Sequence, residues 1–334
     1  LGICLIGCGR AGMIHARNFD RFVPDTVMAA LADASAESLT AAKHELGVET
    51  VYTDYREALQ DTNVDAVVVA VPSALHRDVV VAAAAAGKHI LCEKPMAMNE
   101  QECDAMIAAV DRAGVKLQLG FMRRFDPSFR AAGERIENGE IGNVVCVNSH
   151  TYGPSTPKPW MYDISRCNGA LSEVNSHDID ALRWYAGSEI SEVYAIAGNY
   201  RCPEAREQWP DFYDNVTMNI RFGSGIQGVV MGAQAVQYGY DSRVEILGEN
   251  GLITVGRLND NSVVGYGGDR TSTRNTVDSW RTLFLDAYRA EDAAFADCIR
   301  QDTEPEVGGP DGKAVVQVVN AGNQSIKERR PVAL

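Results

Sequence analysis

Short apolar runs alternate with helix-like stretches through the first 120 residues. The runs are Gly2–Ile6, Val27–Ala32, Ala66–Val71, His89–Cys92 and Val115–Leu119. The helical segments between them are Ala11–Phe22, Ala36–Leu46, Ala74–Ala86 and Glu100–Ala113. Runs that are apolar throughout, rather than at every second position, predict strands of a parallel sheet covered by helices on both faces. Gly87 suits the position after a helix end, and Asn99 suits an N-cap.

After Gly120 the pattern changes. A helix is expected over Pro127–Asn138, a strand over Val144–Thr151 and a helix near Val174–Ala186, with a loop rich in Pro and aromatic residues from Gly153 to Ile164. Val193 to Val255 reads as successive strands, among them Asn215–Phe222, Gly225–Gln234 and Arg243–Leu247. Turn signals stand at Gly223-Ser224-Gly225 and Glu249-Asn250-Gly251. Strands joined by short glycine turns imply an antiparallel or mixed sheet. Helices are expected at Thr282–Arg300 and Gly312–Lys327. The fold class is therefore α/β, a doubly wound parallel sheet in residues 1–120 followed by an α+β domain in 121–334.

Composition narrows the partners. The 334 residues carry a formal charge of −14 and show no cluster of Lys and Arg, which argues against nucleic acid, whose phosphates demand one. Apolar stretches such as Val79–Ala86 fall far short of the ~20 residues of a spanning helix, so no membrane is expected. The eight cysteines include no CxxC pair, and their spacing is neither a disulfide framework nor a zinc site. Reduced thiols in a cytoplasm are the expectation, and no signal peptide, since the sequence opens on a strand.

Gly7-Cys8-Gly9-Arg10-Ala11-Gly12 follows the first strand and opens the first helix. In that context the glycines read as a dinucleotide fingerprint. Gly7 allows the tight turn, Gly9 lets backbone approach a pyrophosphate, and Gly12 lets the helix pack on the strand. Asp33 ends the second strand, where a carboxylate accepts hydrogen bonds from ribose hydroxyls and repels a 2′-phosphate. No Arg occurs in Ala34-Ser35-Ala36, so NAD is expected over NADP.

Three further segments carry candidate chemistry. Glu93-Lys94-Pro95 follows the His89–Cys92 run, at the strand ends where ligands of such sheets bind, and a lysine there can polarise a substrate hydroxyl. The alternative is an ordinary surface loop. On one helix, Glu173, His177 and Asp180 share a face, and a His flanked by carboxylates gains basicity and a fixed tautomer, as a general base requires. A buried structural His is the alternative; a metal is not expected, because only one His is present. Arg123 and Arg124, in Gly120-Phe121-Met122-Arg123-Arg124-Phe125-Asp126-Pro127, stand at the domain junction and either donate to substrate oxygens or pair with nearby carboxylates.

Together these segments resemble the Gfo/Idh/MocA family of oxidoreductases over essentially the whole chain. The resemblance rests on Gly7, Gly9 and Gly12, on Glu93-Lys94-Pro95 and on His177-Asp178-x-Asp180. It implies a Rossmann domain, then an α+β domain whose open, mostly antiparallel sheet forms a homodimer or homotetramer. It further implies a catalytic Lys94, an acid/base His177, and a nicotinamide-side loop at Val71-Pro72-Ser73-Ala74-Leu75-His76. The segment 120–127 and Tyr238-Gly239-Tyr240-Asp241-Ser242-Arg243-Val244-Glu245 look like the inositol dehydrogenase branch, with Tyr238 and Tyr240 as substrate contacts or as sheet packing. That branch commonly has Asp four residues before the histidine, where this chain has Glu173.

The expected activity is reversible, NAD-dependent oxidation of a secondary hydroxyl of a cyclic polyol or sugar to a ketone. His177 takes the proton, Lys94 polarises the oxygen, and Glu173 and Asp180 orient His177 or hold neighbouring hydroxyls. An elimination or glycoside cleavage through a transient ketone, with NAD recycled on the enzyme, is the alternative. A dinucleotide sensor without turnover is a third reading, and the pairing of Lys94 with His177 argues against it.

Overall fold

The computed structural model describes all 334 residues, which form two compact units. The first contains Leu1–Phe125 and Asp286–Val316, and the second Asp126–Leu285 and Gln317–Leu334.

The first unit holds a six-stranded, wholly parallel sheet. Its strands are β1 (Gly2–Ile6), β2 (Val27–Ala32), β3 (Val51–Tyr52), β4 (Ala66–Val69), β5 (His89–Glu93) and β6 (Leu117–Gly120). Their order, β3-β2-β1-β4-β5-β6, is that of a doubly wound dinucleotide-binding sheet. The helices are α1 (Gly12–Arg21), α2 (Ala36–Leu46), α3 (Tyr55–Ala58), α4 (His76–Ala85) and α5 (Glu100–Ala113). Ser35 caps α2 by accepting the Ser38 N–H at 3.2 Å, and Asn99 caps α5 through the Glu102 N–H at 2.9 Å. Gly87 is left-handed after α4, at φ +71°. The expected strands and helices are found here within a few residues; β3 and α3 were not expected.

The second unit begins with α6 (Pro127–Glu137) and β7 (Val144–Tyr152), then α7 (Ile164–Cys167), α8 (Gly169–Glu173) and α9 (Ser176–Ala186). The strands β8 (Ile190–Gly198), β9 (Asn215–Phe222), β10 (Gln227–Ala233), β11 (Asp241–Gly248) and β12 (Leu252–Arg257) follow. A short hairpin, β13 (Gly265–Tyr266) and β14 (Ser272–Thr273), precedes α10 (Trp280–Leu283). The main sheet runs β12-β11-β7-β10-β9-β8-β15, where β15 is Val332–Ala333 at the end of the chain. Only β7 and β10 pair in parallel. Buried and exposed positions alternate along β9 and β11, as in a sheet with one covered face.

Two expectations need correction. The helix expected over Thr282–Arg300 is two, α10 and α11 (Leu285–Gln301), and α12 spans Gly309–Glu328. The division at residue 120 is also too simple, because residues 286–316 return to the first unit. Phe295 and Ala296 of α11 join the core of Leu5, Phe19, Leu31 and Val68. Gln118 donates its side-chain N–H to the Glu291 carbonyl at 3.0 Å, and the Leu119 N–H reaches the Val307 carbonyl at 2.9 Å. No helix is long and apolar enough to cross a membrane.

Candidate active site

The glycine loop is shaped by close approaches. Gly7 has φ +104°, and a Cβ there would lie 2.5 Å from the Ala70 carbonyl oxygen. A Cβ on Gly12 would lie 2.1 Å from the Gly7 carbonyl oxygen, so α1 starts against the turn itself. Gly9 borders open space, and Gly9 and Arg10 are exposed, with Ala11 half-buried. Neither a side-chain cap nor a first-turn carboxylate occupies the positive end of α1. The Asp33 carboxylate is tied to this loop, one oxygen accepting the Cys8 N–H and the other the Ser35 N–H, each at 2.7 Å. Each oxygen keeps a lone pair for a further donor. An open glycine surface, an uncapped helix end and an adjoining carboxylate fit the pyrophosphate and ribose of a dinucleotide.

The loop after β4 is held from within. His76 is buried, with Nε2 2.9 Å from the Val71 carbonyl oxygen and Nδ1 2.8 Å from that of Pro95. Burial pushes this imidazole below its ordinary value, against the pull of those carbonyls. His76 therefore ties residues 71–76 to the turn at Pro95. Pro72 is exposed, Val71 is half-buried and Ser73 is buried.

Lys94 follows β5 and is half-buried. Its N–H donates to Glu93 Oε2 at 3.0 Å. The buried Glu93 also meets His15 Nε2 through Oε1 at 3.1 Å. Burial alone would raise this carboxyl, but the bond and charge of His15, with help from Lys94, hold it below the usual carboxylate range. His15 Nδ1 in turn lies 2.6 Å from Asp292 Oδ1, and Asn18 donates to Asp292 Oδ2 at 2.7 Å. Sequence reasoning missed His15 and Asp292. A His on the buried face of α1 was a visible signal, whereas Asp292 lies 277 positions away. Arg124 pairs with Asp311 at 3.2 Å, the structural alternative for that residue, and Arg123 is 1% exposed.

In the second unit the expected single helix is broken. α8 ends at Glu173 and α9 begins at Ser176, so Glu173 and His177 are not one turn apart on a common helix. Asn175 makes the break. Its side-chain N–H groups reach Asp178 Oδ2 at 2.8 Å and the Met231 carbonyl at 3.1 Å, which fixes the chain on β10. Asp178 is fully buried and accepts the hydroxyls of Ser149 at 2.5 Å and Thr151 at 2.9 Å from β7. It anchors α9, and its neighbour His177 sits in the first turn, 7% exposed, with Glu173 half-buried. Asp180 is buried, with Arg183 at 3.9 Å one turn on. The two tyrosines separate. Tyr238 is 45% exposed and donates to Asp241 Oδ2 at 3.2 Å, whereas Tyr240 is buried with its ring edge-on to Phe284, the packing alternative.

Residues 1–121 match an oxidoreductase family described by its NAD-binding Rossmann fold, and residues 133–334 match that family's C-terminal alpha/beta domain. The chain belongs to the Gfo/Idh/MocA oxidoreductase family. Within this family it is 35% identical to a myo-inositol 2-dehydrogenase of Thermotoga maritima, over 99% of this chain and 98% of the relative. A scyllo-inositol 2-dehydrogenase (NAD(+)) of Bacillus subtilis is 32% identical over 99% and 95%. Among solved structures, scyllo-inositol dehydrogenase from Lactobacillus casei with bound NAD(H) and scyllo-inositol superposes with a TM-score of 0.91 at 25% identity, covering 100% of this chain and 98% of that one. As a Gfo/Idh/MocA oxidoreductase, the chain uses NAD, and Gly7, Gly9, Gly12 and Asp33 are the residues suited to hold it.

Proposed function

We propose that the protein oxidises a secondary hydroxyl of an inositol or a closely similar cyclic polyol to the ketone. The observation that carries this reading is Lys94 at the carboxyl end of β5, the same edge of the parallel sheet at which the glycine loop leaves β1. Full-length likeness to inositol dehydrogenases supplies the substrate class. The nicotinamide, when bound, supplies the hydride acceptor. Lys94 donates a hydrogen bond to the reacting oxygen and stabilises its developing charge. His177 accepts the hydroxyl proton. Glu173 orients His177 or holds an adjacent hydroxyl, and Asp180 supports the same helix.

The chain is also proposed to act as a homo-oligomer in the cytoplasm. Ile196, Leu247 and Leu252 are exposed on one face of the seven-stranded sheet, which supports self-association there. Eight free cysteines support a reducing compartment.

The test is the near-ultraviolet absorbance of NADH during incubation with NAD across inositol isomers, aldoses, uronic acids and amino sugars. Turnover is expected on at least one inositol, and Lys94→Ala and His177→Ala should each reduce it by about 100-fold or more while sparing NAD binding. Full turnover in both variants would overturn the mechanism. Substrate loss with retained NAD and no net NADH would point to elimination instead.

A further inference from the structure

We propose that His15 is a positioning residue, bridging Glu93 and Asp292 so that the turn carrying Lys94 is locked to the first helix of the dinucleotide site. The inference rests on the reading of Lys94 as the group that polarises substrate.

α1 carries Gly12 at its first position and His15 one turn later. The Glu93 carboxylate is shared, with Oε1 on His15 Nε2 and Oε2 on the Lys94 N–H. Asp292 is shared in the same way, between His15 Nδ1 and the Asn18 amide. The Tyr288 ring meets the imidazole edge-on at 5.3 Å. His15, Asn18, Glu93 and Asp292 are all buried. An imidazole with a carboxylate oxygen on each nitrogen satisfies both only as the doubly protonated cation. Burial opposes that charge, but Asp292 and Glu93 more than reverse it and hold His15 well above its ordinary value.

A third acid faces the cluster. Glu291 of α11 is fully buried, and neither of its carboxyl oxygens has a hydrogen-bond partner. The groups around His15 are thus Glu93 from β5, Asp292 and Glu291 from α11, and the Lys94 ammonium acting on Glu93. One imidazolium balances two carboxylates only in part, so the acid without a bond, Glu291, keeps its proton. Loss of the imidazolium leaves Glu93 buried beside no partner cation on that side. The carboxylate then protonates or swings, and its bond to the Lys94 N–H fails. A displacement of about 1 Å at a catalytic group can cost ~100-fold in rate.

The experiment is hydrogen exchange at the Lys94 amide in the full chain, comparing wild type, His15→Gln, Asp292→Asn and Glu291→Gln. Exchange is expected to quicken about tenfold or more in the first two variants, as for loss of one charge-assisted hydrogen bond, and to be unchanged in Glu291→Gln. With an inositol substrate, kcat should fall about tenfold or more in those two variants, while the dissociation constant for NAD by calorimetry stays within about threefold. If His15→Gln does not fold, Asp292→Asn, which keeps the side chain's size and removes the charge that holds the imidazolium, carries the same readout. Unchanged exchange at Lys94 in folded His15→Gln or Asp292→Asn overturns the proposal, whatever happens to activity. Faster exchange in a protein that oxidises no inositol upholds the positioning role and overturns the substrate reading alone.

Discussion

A Cβ placed on Gly232 would lie 1.9 Å from the side-chain oxygen of Asn175. The absence of a side chain at one position of β10 is therefore what lets Asn175 lie on the strand, bond the Met231 carbonyl and end the helical run between Glu173 and Ser176. Gly232→Ala must push Asn175 away, and its amide is held by two bonds. A loss of about 1–3 kcal/mol is expected from overpacking. Because the proposed base His177 lies two residues beyond Asn175, kcat should also fall. A melting curve together with kcat checks this, and unchanged values for both would show that Asn175 does not fix the start of α9.

Asp178 gathers three donors, from Ser149, Thr151 and Asn175, in a site with no exposure. Asp178→Asn keeps the shape but turns one acceptor oxygen into a donor facing donors. At least one buried group is left without a partner, at a cost of about 1–3 kcal/mol. Urea unfolding should show a lower midpoint with an unchanged slope, since the exposed area on unfolding stays the same. The Asn175 amide at Oδ2 is the stranded donor, because the Ser149 and Thr151 hydroxyls share Oδ1 and can also turn to accept.

Buried runs such as Ala66–Val69 read as parallel strands because every position is covered, and the glycine fingerprint is local enough to be recognised within six residues. Caps at Asn99 and the turn at Gly87 were legible for the same reason. A two-residue strand at Val51–Tyr52 is too short to show any period. The break before α9 depends on Gly232 and Met231, more than fifty positions away, so a helical pattern alone joined what Asn175 separates. The same holds for His15 and Asp292, brought together only when α11 joins the first unit. Tyr238 and Tyr240 have equal chemistry in the sequence, and only the Phe284 contact tells the packed ring from the exposed one.

The buried acids set a pH dependence whose sign follows from their environments. Burial, and then the charges of Asp292 and Glu93, outweigh His15 and hold Glu291 well above its ordinary value of 4.5. In the folded chain it keeps its proton at pH values where the unfolded chain has lost it. The unfolded state then binds fewer protons, so this group lowers stability as pH rises from 4.5 toward the folded value. Glu291→Gln has no proton to lose. Its melting temperature should decline less than that of wild type from about pH 5 to about pH 8. His15 is also raised, so its contribution is fully present below 6.5 and fades as pH climbs through the folded value. The deficit of His15→Gln should accordingly be largest below pH 6.5 and shrink in alkali. Parallel curves for all three proteins would remove both assignments.

Asp33 is proposed to bear on which dinucleotide is chosen. Its two oxygens are already oriented by the Cys8 and Ser35 N–H groups, so the carboxylate stands preset at the glycine loop. No arginine follows it in Ala34-Ser35-Ala36 to receive a 2′-phosphate. Asp33→Asn keeps the size and one acceptor oxygen but removes the charge. Loss of charge-assisted bonds to ribose hydroxyls should weaken kcat/KM for NAD by about 10–100-fold. The same change removes repulsion from a 2′-phosphate, so kcat/KM for NADP should hold or rise. The ratio of the two, measured on one substrate at fixed ionic strength, is the decisive quantity. If it stays where wild type has it, the preference is set by residues other than Asp33.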